Sequence, residues 1–349
     1  MQYRRVCLES LGYTLPSEVI TTDALEQNLA PVYERLRLPA GRLELMTGIR
    51  ERRFFEPGMP PSTASISSGD RALRAADIDR QSIGALVHGS VCRDHLEPAT
   101  ACRVHHELDL SPDCLIYDTS NACLGILTGM LQVANMIELG QIKAALVVGT
   151  ETGRELVENT VRRLNEDLTL TRQDIKPLVA SLTIGSGSVA AVLCDAELSQ
   201  TGNRLTSAAA LARTQHHQLC QSAGLENFMQ TDSEELMRQG VATGAETFSR
   251  FLSAAGWQRS DITKTVCHQV GVAHRKLLFE ALSLDTSLDF ATLETLGNTG
   301  AVALPLTLAL ALEAKHIDHA DRVALLGIGS GINCQMLGVE WQSSRVMGG

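Results

Sequence analysis

Four short segments of the sequence carry residue types that could act together in nucleophilic catalysis. Cys123 offers a thiol, His268 an imidazole and Asn298 a carboxamide, while residues 327–331 (Gly-Ile-Gly-Ser-Gly) form a glycine-rich turn. Together they supply a nucleophile, an acid, base or donor, a second donor, and backbone N–H groups for an oxyanion hole. The ordinary alternative is a cysteine packed in the core, a histidine whose hydrogen bonds are made within the fold, and two turns without a catalytic role.

The position of Cys123 predicts a reactive thiol. An apolar run ends at Tyr117, and after Asn121 the apolar spacing becomes helical, which places Cys123 in the first helical turn. Free N–H groups and the helix dipole at such a position favour the thiolate. Asn121 could cap the helix, and the small residues Ala122 and Gly125 would admit a substrate carbonyl. From this stretch alone, a buried structural cysteine is an equal alternative.

The elements that must position these residues recur in two halves of the chain. The apolar run at residues 85–88 is matched by residues 265–268, and the run at 146–149 is matched by 324–327 at nearly the same offset. In α/β sheets ligands bind beyond the carboxyl ends of strands, and the candidate residues follow such runs. The sequence therefore predicts a duplicated α/β fold with halves at residues 1–199 and 200–349.

Two segments interrupt this pattern. Residues 154–178 are charged and helical in spacing, which predicts a cap over the first half. Residues 200–231, which include His216 and His217, show weak periodicity and are predicted as a connecting loop system. The paired histidines lack a second ligand cluster, so a polar loop is preferred over a metal site.

Composition indicates a soluble enzyme rather than a nucleic-acid-binding or membrane protein. Hydrophobic residues make up 44% of the 349 residues but aromatic residues only 4%, so the core is aliphatic. The net charge of −10 argues against nucleic-acid binding, and no apolar run is long enough to span a membrane. Nine scattered cysteines without a Cys-x-x-Cys pair indicate neither zinc nor disulfides. We expect a cytoplasmic protein.

Several motifs resemble those of one enzyme superfamily. Residues 121–123 (Asn-Ala-Cys), 267–269 (Cys-His-Gln), 297–300 (Gly-Asn-Thr-Gly) and 327–331 are similar to the Cys-His-Asn site and glycine loop of the thiolase superfamily, in its ketoacyl synthase III branch. The resemblance runs along the whole chain and includes residues 47–52 (Thr-Gly-Ile-Arg-Glu-Arg). Within that branch, residues 93–100 resemble the head-to-head condensing thiolases of bacterial olefin synthesis.

This resemblance implies a fold and a set of roles. The fold would be the thiolase fold, with βαβαβαββ halves duplicated in a five-layer α/β/α/β/α arrangement, working as a homodimer. Cys123 would take an acyl group as a thioester, and His268 and Asn298 would bind the thioester oxygen of a second substrate. The backbone N–H groups of Cys123 and Ser330 would form the oxyanion hole. Ser330 stands where initiating synthases often carry glycine.

The resemblance gives Glu97 a role that its spacing alone does not. It would reach across the dimer interface and remove the α-proton of a second acyl thioester, so that Claisen condensation gives a β-keto product without loss of CO₂. On spacing alone, Glu97 is a surface residue before a proline. The alternatives are a decarboxylative synthase using a malonyl thioester, a pyrone-forming enzyme that joins two chains, and a non-catalytic partner subunit.

The carrier of the acyl group is open at this point. Arg50, Arg52 and Arg53 form a basic cluster that could meet phosphates, although such clusters are usually solvated. Relatives that use coenzyme A clamp its adenine between Trp and Arg, where this chain has Arg42 and Met46. Coenzyme A and acyl carrier protein are both candidate carriers, and no metal or redox cofactor is implied. Acyl chains would lie in tunnels lined by the aliphatic core.

Overall fold

The computed structural model describes residues 1–223 and 228–349. Its strands are β1 (Val6–Thr14), β2 (Glu18–Thr21), β3 (Glu51–Phe54), β4 (Ile83–Gly89), β5 (Leu115–Thr119), β6 (Ala144–Glu151), β7 (Gly187–Asp195), β8 (Arg204–Ala212), β9 (Cys220–Ala223), β10 (Phe228–Thr231), β11 (Lys264–Cys267), β12 (Arg322–Gly329), β13 (Asn333–Glu340) and β14 (Val346–Met347). Its α-helices are α1 (Thr22–Asn28), α2 (Ala30–Leu36), α3 (Arg42–Thr47), α4 (Pro61–Ala76), α5 (Thr100–Glu107), α6 (Gly125–Glu138), α7 (Arg154–Glu166), α8 (Arg172–Ile175), α9 (Ser233–Ala255), α10 (Val272–Leu282), α11 (Leu293–Leu296) and α12 (Ala303–Glu313).

The main sheet consists of two half-sheets with the same strand order. Its ten strands run β11-β12-β13-β8-β1-β7-β6-β4-β5, with β14 beside β1. Between the halves, β1 and β8 share only the register pair Cys7–Arg204. Numbered in chain order, the main-sheet strands of the first half are β1, β4, β5, β6 and β7. From the outer edge inward they run third, second, fourth, fifth and first. The second half repeats that order, with a bridge from Thr265 to Asp289 in place of the third strand.

Strand directions repeat as well. The strands β4, β5 and β6 are mutually parallel and β7 is antiparallel to its neighbours. In the second half β11 and β12 are parallel and β13 is antiparallel to its neighbours. The matched runs are β4 with β11 and β6 with β12, so the predicted duplicated α/β fold is confirmed. The division at residues 199 and 200 lies in the connection from β7 to β8 and stays a prediction.

Helices cover both half-sheets and fill the space between them. One outer layer is α4 with α5, and the other is α9 with α10. Between the half-sheets lie α6 and α12, whose aliphatic side chains form the largest core cluster. Nine of the eleven residues of α12 are buried, because the helix is apolar on every side and contacts both half-sheets. The order of layers is therefore α/β/α/β/α.

A smaller unit lies beside the first half. The helices α7 and α8 and the 3-10 segment Lys176–Thr183 pack with α1, α2 and α3 around a separate apolar cluster. The guanidinium of Arg35 donates to the carbonyl oxygens of Leu164, Asp167, Leu168 and Leu170, and so closes the end of α7. The predicted helical excursion at residues 154–178 is thus part of this unit, which we call the cap.

The prediction of a connecting loop at residues 200–231 is wrong for its first part. Residues 204–212 form β8, a strand inside the main sheet between β1 and β13. Its buried residues are Leu205 and the small side chains of Ser207, Ala208 and Ala209, which gave no clear apolar alternation to detect. His216 and His217 lie in the 3-10 turn Thr214–Leu219. Residues 224–227 of that prediction lie outside the described residues. No helix of the described chain is long and apolar enough to cross a membrane.

Candidate active site

Cys123 lies in the sharp connection between β5 and α6. The helix begins at Gly125 with Leu124 as its N-cap, so Cys123 lies two residues before the helix and not in its first turn as predicted. Ala122 has a φ of 45°, in the left-handed region, and the Leu124 N–H donates to the Asn121 carbonyl at 2.9 Å. This turn brings the half-buried Cys123 to the end of the sheet.

Two neighbours of Cys123 have roles that differ from those predicted. The Asn121 side chain does not cap the helix; its Nδ2 donates to Thr128 Oγ1 at 3.0 Å. A Cβ at Gly125 would lie 2.7 Å from the carbonyl carbon and oxygen of Gly89. Glycine at position 125 therefore lets α6 start directly against the end of β4, rather than making room for a substrate.

The glycine turn of the second half lies against this connection. A Cβ at Gly329 would be 3.5 Å from the backbone nitrogen of Cys123 and 3.1 Å from Leu124 Cγ. A Cβ at Gly327 would be 2.7 Å from a methyl carbon of Leu127. Ser330 directly follows Gly329 at the end of β12, so the glycine turn that carries it lies against the Cys123 connection. The oxyanion hole formed by the N–H groups of Cys123 and Ser330 stays a prediction.

His268 follows β11 and is buried, with 3% of its surface exposed. Its N–H donates to the Leu326 carbonyl at 3.1 Å, which fixes it beside β12. Burial, with His274 nearby, lowers the pKa of His268 to about 3, so the imidazole is neutral at physiological pH. Its Nδ1 has no hydrogen-bond partner in the described part of the chain. A neutral imidazole with one donor and one acceptor nitrogen suits either of its predicted roles.

The next residue ties His268 to the segment that carries Asn298. Gln269 is buried, and its Oε1 accepts hydrogen bonds from the N–H groups of Thr292 and Leu293 at 3.1 Å each. Its Nε2 donates to the Cys267 carbonyl at 2.7 Å. Because Thr292 and Leu293 begin the α11 turn that leads into Asn298, Gln269 fixes the two predicted donors relative to each other.

Asn298 is held by its backbone and by one side-chain atom. Its N–H donates to Thr183 O at 2.9 Å, and its carbonyl accepts from Gly185 N at 3.0 Å. The side-chain Oδ1 accepts from Gly300 N at 3.0 Å. The Nδ2 amide donates no hydrogen bond within the described residues and is thus available to a ligand. This geometry suits a donor to a carbonyl or enolate oxygen.

The sequence analysis missed Glu151, a buried carboxylate at the end of β6. It accepts hydrogen bonds from the N–H groups of Val91 at 2.9 Å, Cys92 at 3.3 Å and Ala301 at 3.3 Å. It thereby joins the loop after β4 to the turn that contains Asn298. Burial raises the pKa of Glu151. The available signal was an ionisable residue three positions after the apolar run at residues 144–148.

The prediction that Cys123 is a thiolate is wrong. Desolvation raises the pKa of Cys123 to about 12, and the negative charge of Glu151 acts in the same direction. The thiol is therefore neutral at pH 7, and so is the imidazole of His268. Such a pair must move the proton during the attack itself rather than before it.

Glu97 has no hydrogen bond or ion pair to the site residues described above. It lies on the loop between β4 and α5 and is exposed. The same loop exposes Val91 and Leu96, the latter to 95%, and the edge strand β5 exposes Leu115 and Ile116. This group of four apolar residues around Glu97 is called the β5 surface below.

The three arginines of the predicted cluster lie apart, with Arg50 before β3 and with Arg52 and Arg53 on opposite faces of that strand. Arg50 is exposed and forms an ion pair with Glu294 at 2.9 Å. Arg52 is fully buried, and its Nη2 donates to Thr22 Oγ1 at 3.0 Å. Arg53 Nη1 donates to the Pro16 carbonyl at 3.0 Å. The three guanidinium groups have separate partners, and of the three only Arg50 is exposed.

Arg42 and Met46 line the mouth of a pocket in the cap. The pocket encloses about 420 Å³, including the part open to solvent. Most of its walls are apolar, among them Leu29, Val32, Leu43, Leu164, Val179 and Leu182. Across the described residues, no group of three or more His, Cys, Asp or Glu side chains could hold a metal ion.

Comparisons with known proteins agree with this geometry. The family model of 3-oxoacyl-[acyl-carrier-protein] synthase III matches residues 117–166, and the model of its C-terminal part matches residues 252–341. An acyl-CoA:acyl-CoA alkyltransferase of Shewanella oneidensis is 43% identical over 98% of this chain and 100% of its own length. The enzyme of the same name from Xanthomonas campestris is 32% identical over 98% and 100%.

A solved structure is similarly close. The crystal structure of Xanthomonas campestris OleA with bound lauric acid and lauroyl-CoA superposes with a TM-score of 0.93 and 31% identity. The match covers 97% of this chain and 100% of the other. The fold described above is therefore that of OleA over essentially its whole length.

Proposed function

Because the chain belongs to the family of acyl-CoA:acyl-CoA alkyltransferases, within the thiolase-fold 3-oxoacyl-[acyl-carrier-protein] synthase III group, we propose that it joins two fatty acyl thioesters head to head. The reaction is a non-decarboxylative Claisen condensation with a β-keto product. The observation that carries the proposal is the 43% identity to an enzyme of that name along the whole chain. A decarboxylative reaction with a malonyl thioester is not favoured, since both alkyltransferases match end to end.

In the first half-reaction Cys123 attacks the carbonyl carbon of an acyl thioester. The tetrahedral oxyanion accepts hydrogen bonds from the backbone N–H groups of Cys123 and Ser330. The thiol proton passes through the neutral imidazole of His268 to the leaving thiolate of the carrier. This assignment is supported by the close approach of Gly329, at which a Cβ would lie 3.5 Å from the Cys123 nitrogen, and by the low pKa of His268. The product is an acyl-enzyme thioester and a free carrier thiol.

In the second half-reaction a base removes the α-proton of a second acyl thioester. The enolate oxygen accepts hydrogen bonds from His268 and Asn298, whose free Nδ2 amide supports this role. The α-carbon attacks the Cys123 thioester and expels the Cys123 sulfur as a thiolate. The proton held by the base then returns to that sulfur, so that the enzyme is regenerated with its β-ketoacyl thioester product bound.

We assign the base to Glu97 of a second subunit in a homodimer. An exposed carboxylate is too well solvated to remove an α-proton, so it needs a partner that buries it near the site. The β5 surface supports this assembly, because an edge strand with exposed apolar side chains is a ready site for pairing with another chain.

The cap pocket is proposed to receive one acyl chain. Its apolar walls fit a hydrocarbon, and its lining includes Arg42 and Met46, the positions at which the resemblance places the adenine clamp of coenzyme A. Arg50 is the remaining exposed cation of the predicted cluster, and coenzyme A and acyl carrier protein both remain candidate carriers. The proposal includes the two thiolase halves at residues 1–199 and 200–349. It also places the protein in the cytoplasm, in keeping with its free cysteines.

The test is incubation with a panel of acyl-CoAs and acyl-loaded carrier proteins, followed by intact-protein mass measurement. An acyl adduct should appear on the wild-type chain and be absent from Cys123→Ala. A β-keto product should form when only saturated acyl thioesters are supplied. If the wild-type chain gains no acyl mass from any donor, the chain is a non-catalytic subunit and the proposal fails.

A further inference from the structure

A side-chain hydrogen-bond chain links the two halves directly beside the proposed oxyanion hole. Asn333, the first residue of β13, donates from Nδ2 to Asn121 Oδ1 at 3.3 Å and to the Ser330 carbonyl at 3.2 Å. Asn121 lies two residues before Cys123, in the first half. Ser330 ends the glycine turn of the second half. A single carboxamide therefore contacts both segments whose backbone N–H groups would bind the oxyanion.

The far side of this contact is fixed as well. Asn121 Nδ2 donates to Thr128 Oγ1 on α6, so its Oδ1 is the atom turned toward Asn333. Thr128 Oγ1 is in turn 3.1 Å from Nε2 of Gln335, two residues after Asn333 on the same strand. The network thus joins the first half to β13 twice, from Asn333 to Asn121 before α6 and from Gln335 to Thr128 on α6.

The glycine turn is closed tightly on the Asn333 side chain. Gly331 has a φ of 94°, and a Cβ there would lie 3.2 Å from Asn333 Nδ2. A larger residue at position 331 would be strained and would push the carboxamide away. The turn between β12 and β13 therefore fits around this one donor.

We propose that Asn333 is a positioning residue for the oxyanion hole, holding the Cys123 and Ser330 segments at the spacing that their N–H groups need. The inference rests on the proposed function and deepens it. Oxyanion donors act only within about 2.7–3.1 Å of the developing charge. The two donors belong to separate halves, so a small shift between the halves would take one of them out of range.

Two reactions of the same sulfur separate this role from a general structural one. Acylation of Cys123 by a p-nitrophenyl ester passes through a tetrahedral oxyanion and needs the hole. Alkylation by iodoacetamide displaces iodide at an sp³ carbon and forms no oxyanion. Loss of the contact from Asn333 should therefore slow acylation and leave alkylation unchanged.

The experiment compares both rates in Asn333→Ala, Asn121→Ala and the double variant. We expect Asn333→Ala to lower the acylation rate about 10- to 100-fold, less than the roughly 100- to 1,000-fold loss on removing an oxyanion donor outright. Alkylation should stay within about twofold of wild type. Because both side chains serve one contact, the double variant should acylate no more slowly than Asn333→Ala alone.

Gln335→Met is the matched control, since it alters the same network without touching the Ser330 turn. It should keep both rates within about threefold of wild type. Equal acylation by Asn333→Ala and wild type would overturn the inference, as would a parallel loss of both rates or an equal loss in Gln335→Met. If Asn333→Ala does not fold, an unaltered acylation rate in Asn121→Ala overturns it. A wild-type chain that is alkylated at Cys123 but acylated by no ester would instead refute the proposed function itself.

Discussion

The chemistry of Cys123 is governed by desolvation rather than by the helix that follows it. The sulfur lies before the helix and beside the buried Glu151, and both burial and charge raise its pKa. We therefore expect its alkylation by iodoacetamide to speed up about tenfold per pH unit from pH 6 to 10, because only the rising thiolate fraction reacts. The measurement is the rate of adduct formation by mass spectrometry. A plateau below pH 8 would show instead a thiolate stabilised by protonated His268.

Glu151 supplies part of that shift. Replacing its carboxylate by a neutral amide in Glu151→Gln removes a negative charge beside the sulfur, so the pKa of Cys123 should fall. At pH 8 the alkylation rate should then rise several-fold over wild type. Glu107→Gln, on the exposed side of α5, is the control and should change nothing. An unchanged rate in Glu151→Gln would mean that Glu151 is already protonated at this pH.

Glu97 should separate the two half-reactions. Glu97→Gln leaves Cys123 and its oxyanion donors intact, so the acyl adduct should form at the wild-type rate. Condensation should fall about a hundredfold or more, within the usual range for loss of a general base. Product analysis by mass spectrometry, with saturated acyl thioesters and then a malonyl thioester, provides the measurement. Condensation that survives the substitution would restore the decarboxylative alternative.

The sequence identified the residues that stand at a turn recognisable from its local pattern. His268 was found because it directly follows the apolar run that forms β11. Asn298 was found from its glycine-rich turn before an apolar helix, and in the structure it follows the helix α11 rather than a strand. Glu151 and Asn333 were missed because their importance depends on contacts across the fold. The protonation state of Cys123 was predicted wrongly, since burial by distant segments is not visible in the local sequence.

At the scale of elements, the beginning of α6 is set by a close approach to β4. A Cβ at Gly125 would overlap the backbone of Gly89, which cannot move without shifting the strand. We expect Gly125→Ala to lower the free energy of unfolding by about 1–3 kcal/mol, as overpacking does. Urea denaturation measures this change. Gly271→Ala is the control, because a Cβ there has no neighbour within 4 Å. Equal stability of the two variants would contradict the expectation.

Elements with a strong apolar pattern were predictable and others were not. Both matched strand pairs and the helical cap segment were read from periodicity and offset. The strand β8 was missed because three of its four buried residues are serine or alanine, with only Leu205 as a large apolar side chain. The separation of Arg52 from Arg53 likewise depends on β3 being a strand, which buries Arg52 and not Arg53, while Arg50 lies before the strand.

At the scale of the whole molecule, the β5 surface should control activity through assembly. Ile116→Asp places a charge on the exposed edge strand and should convert a dimer into a monomer. Condensation should then be lost, because Glu97 must come from the other subunit, while alkylation of Cys123 should continue. Light scattering during size exclusion gives the mass, and Leu139→Asp, at another exposed leucine, is the control. A wild-type monomer with full condensation activity would refute the dimeric base.

The middle layer has a consequence for how such a molecule can arise. The helix α12 is apolar on every side and is covered only because one half-sheet lies on each side of it. An isolated half would leave that apolar surface exposed to water. A second identical copy, related by two-fold symmetry, could cover it. Fusion of two copies into one chain makes that contact permanent and allows the two copies to diverge in sequence. One half can then keep the cysteine while the other keeps the histidine and the asparagine. Two identical subunits could not differ in this way.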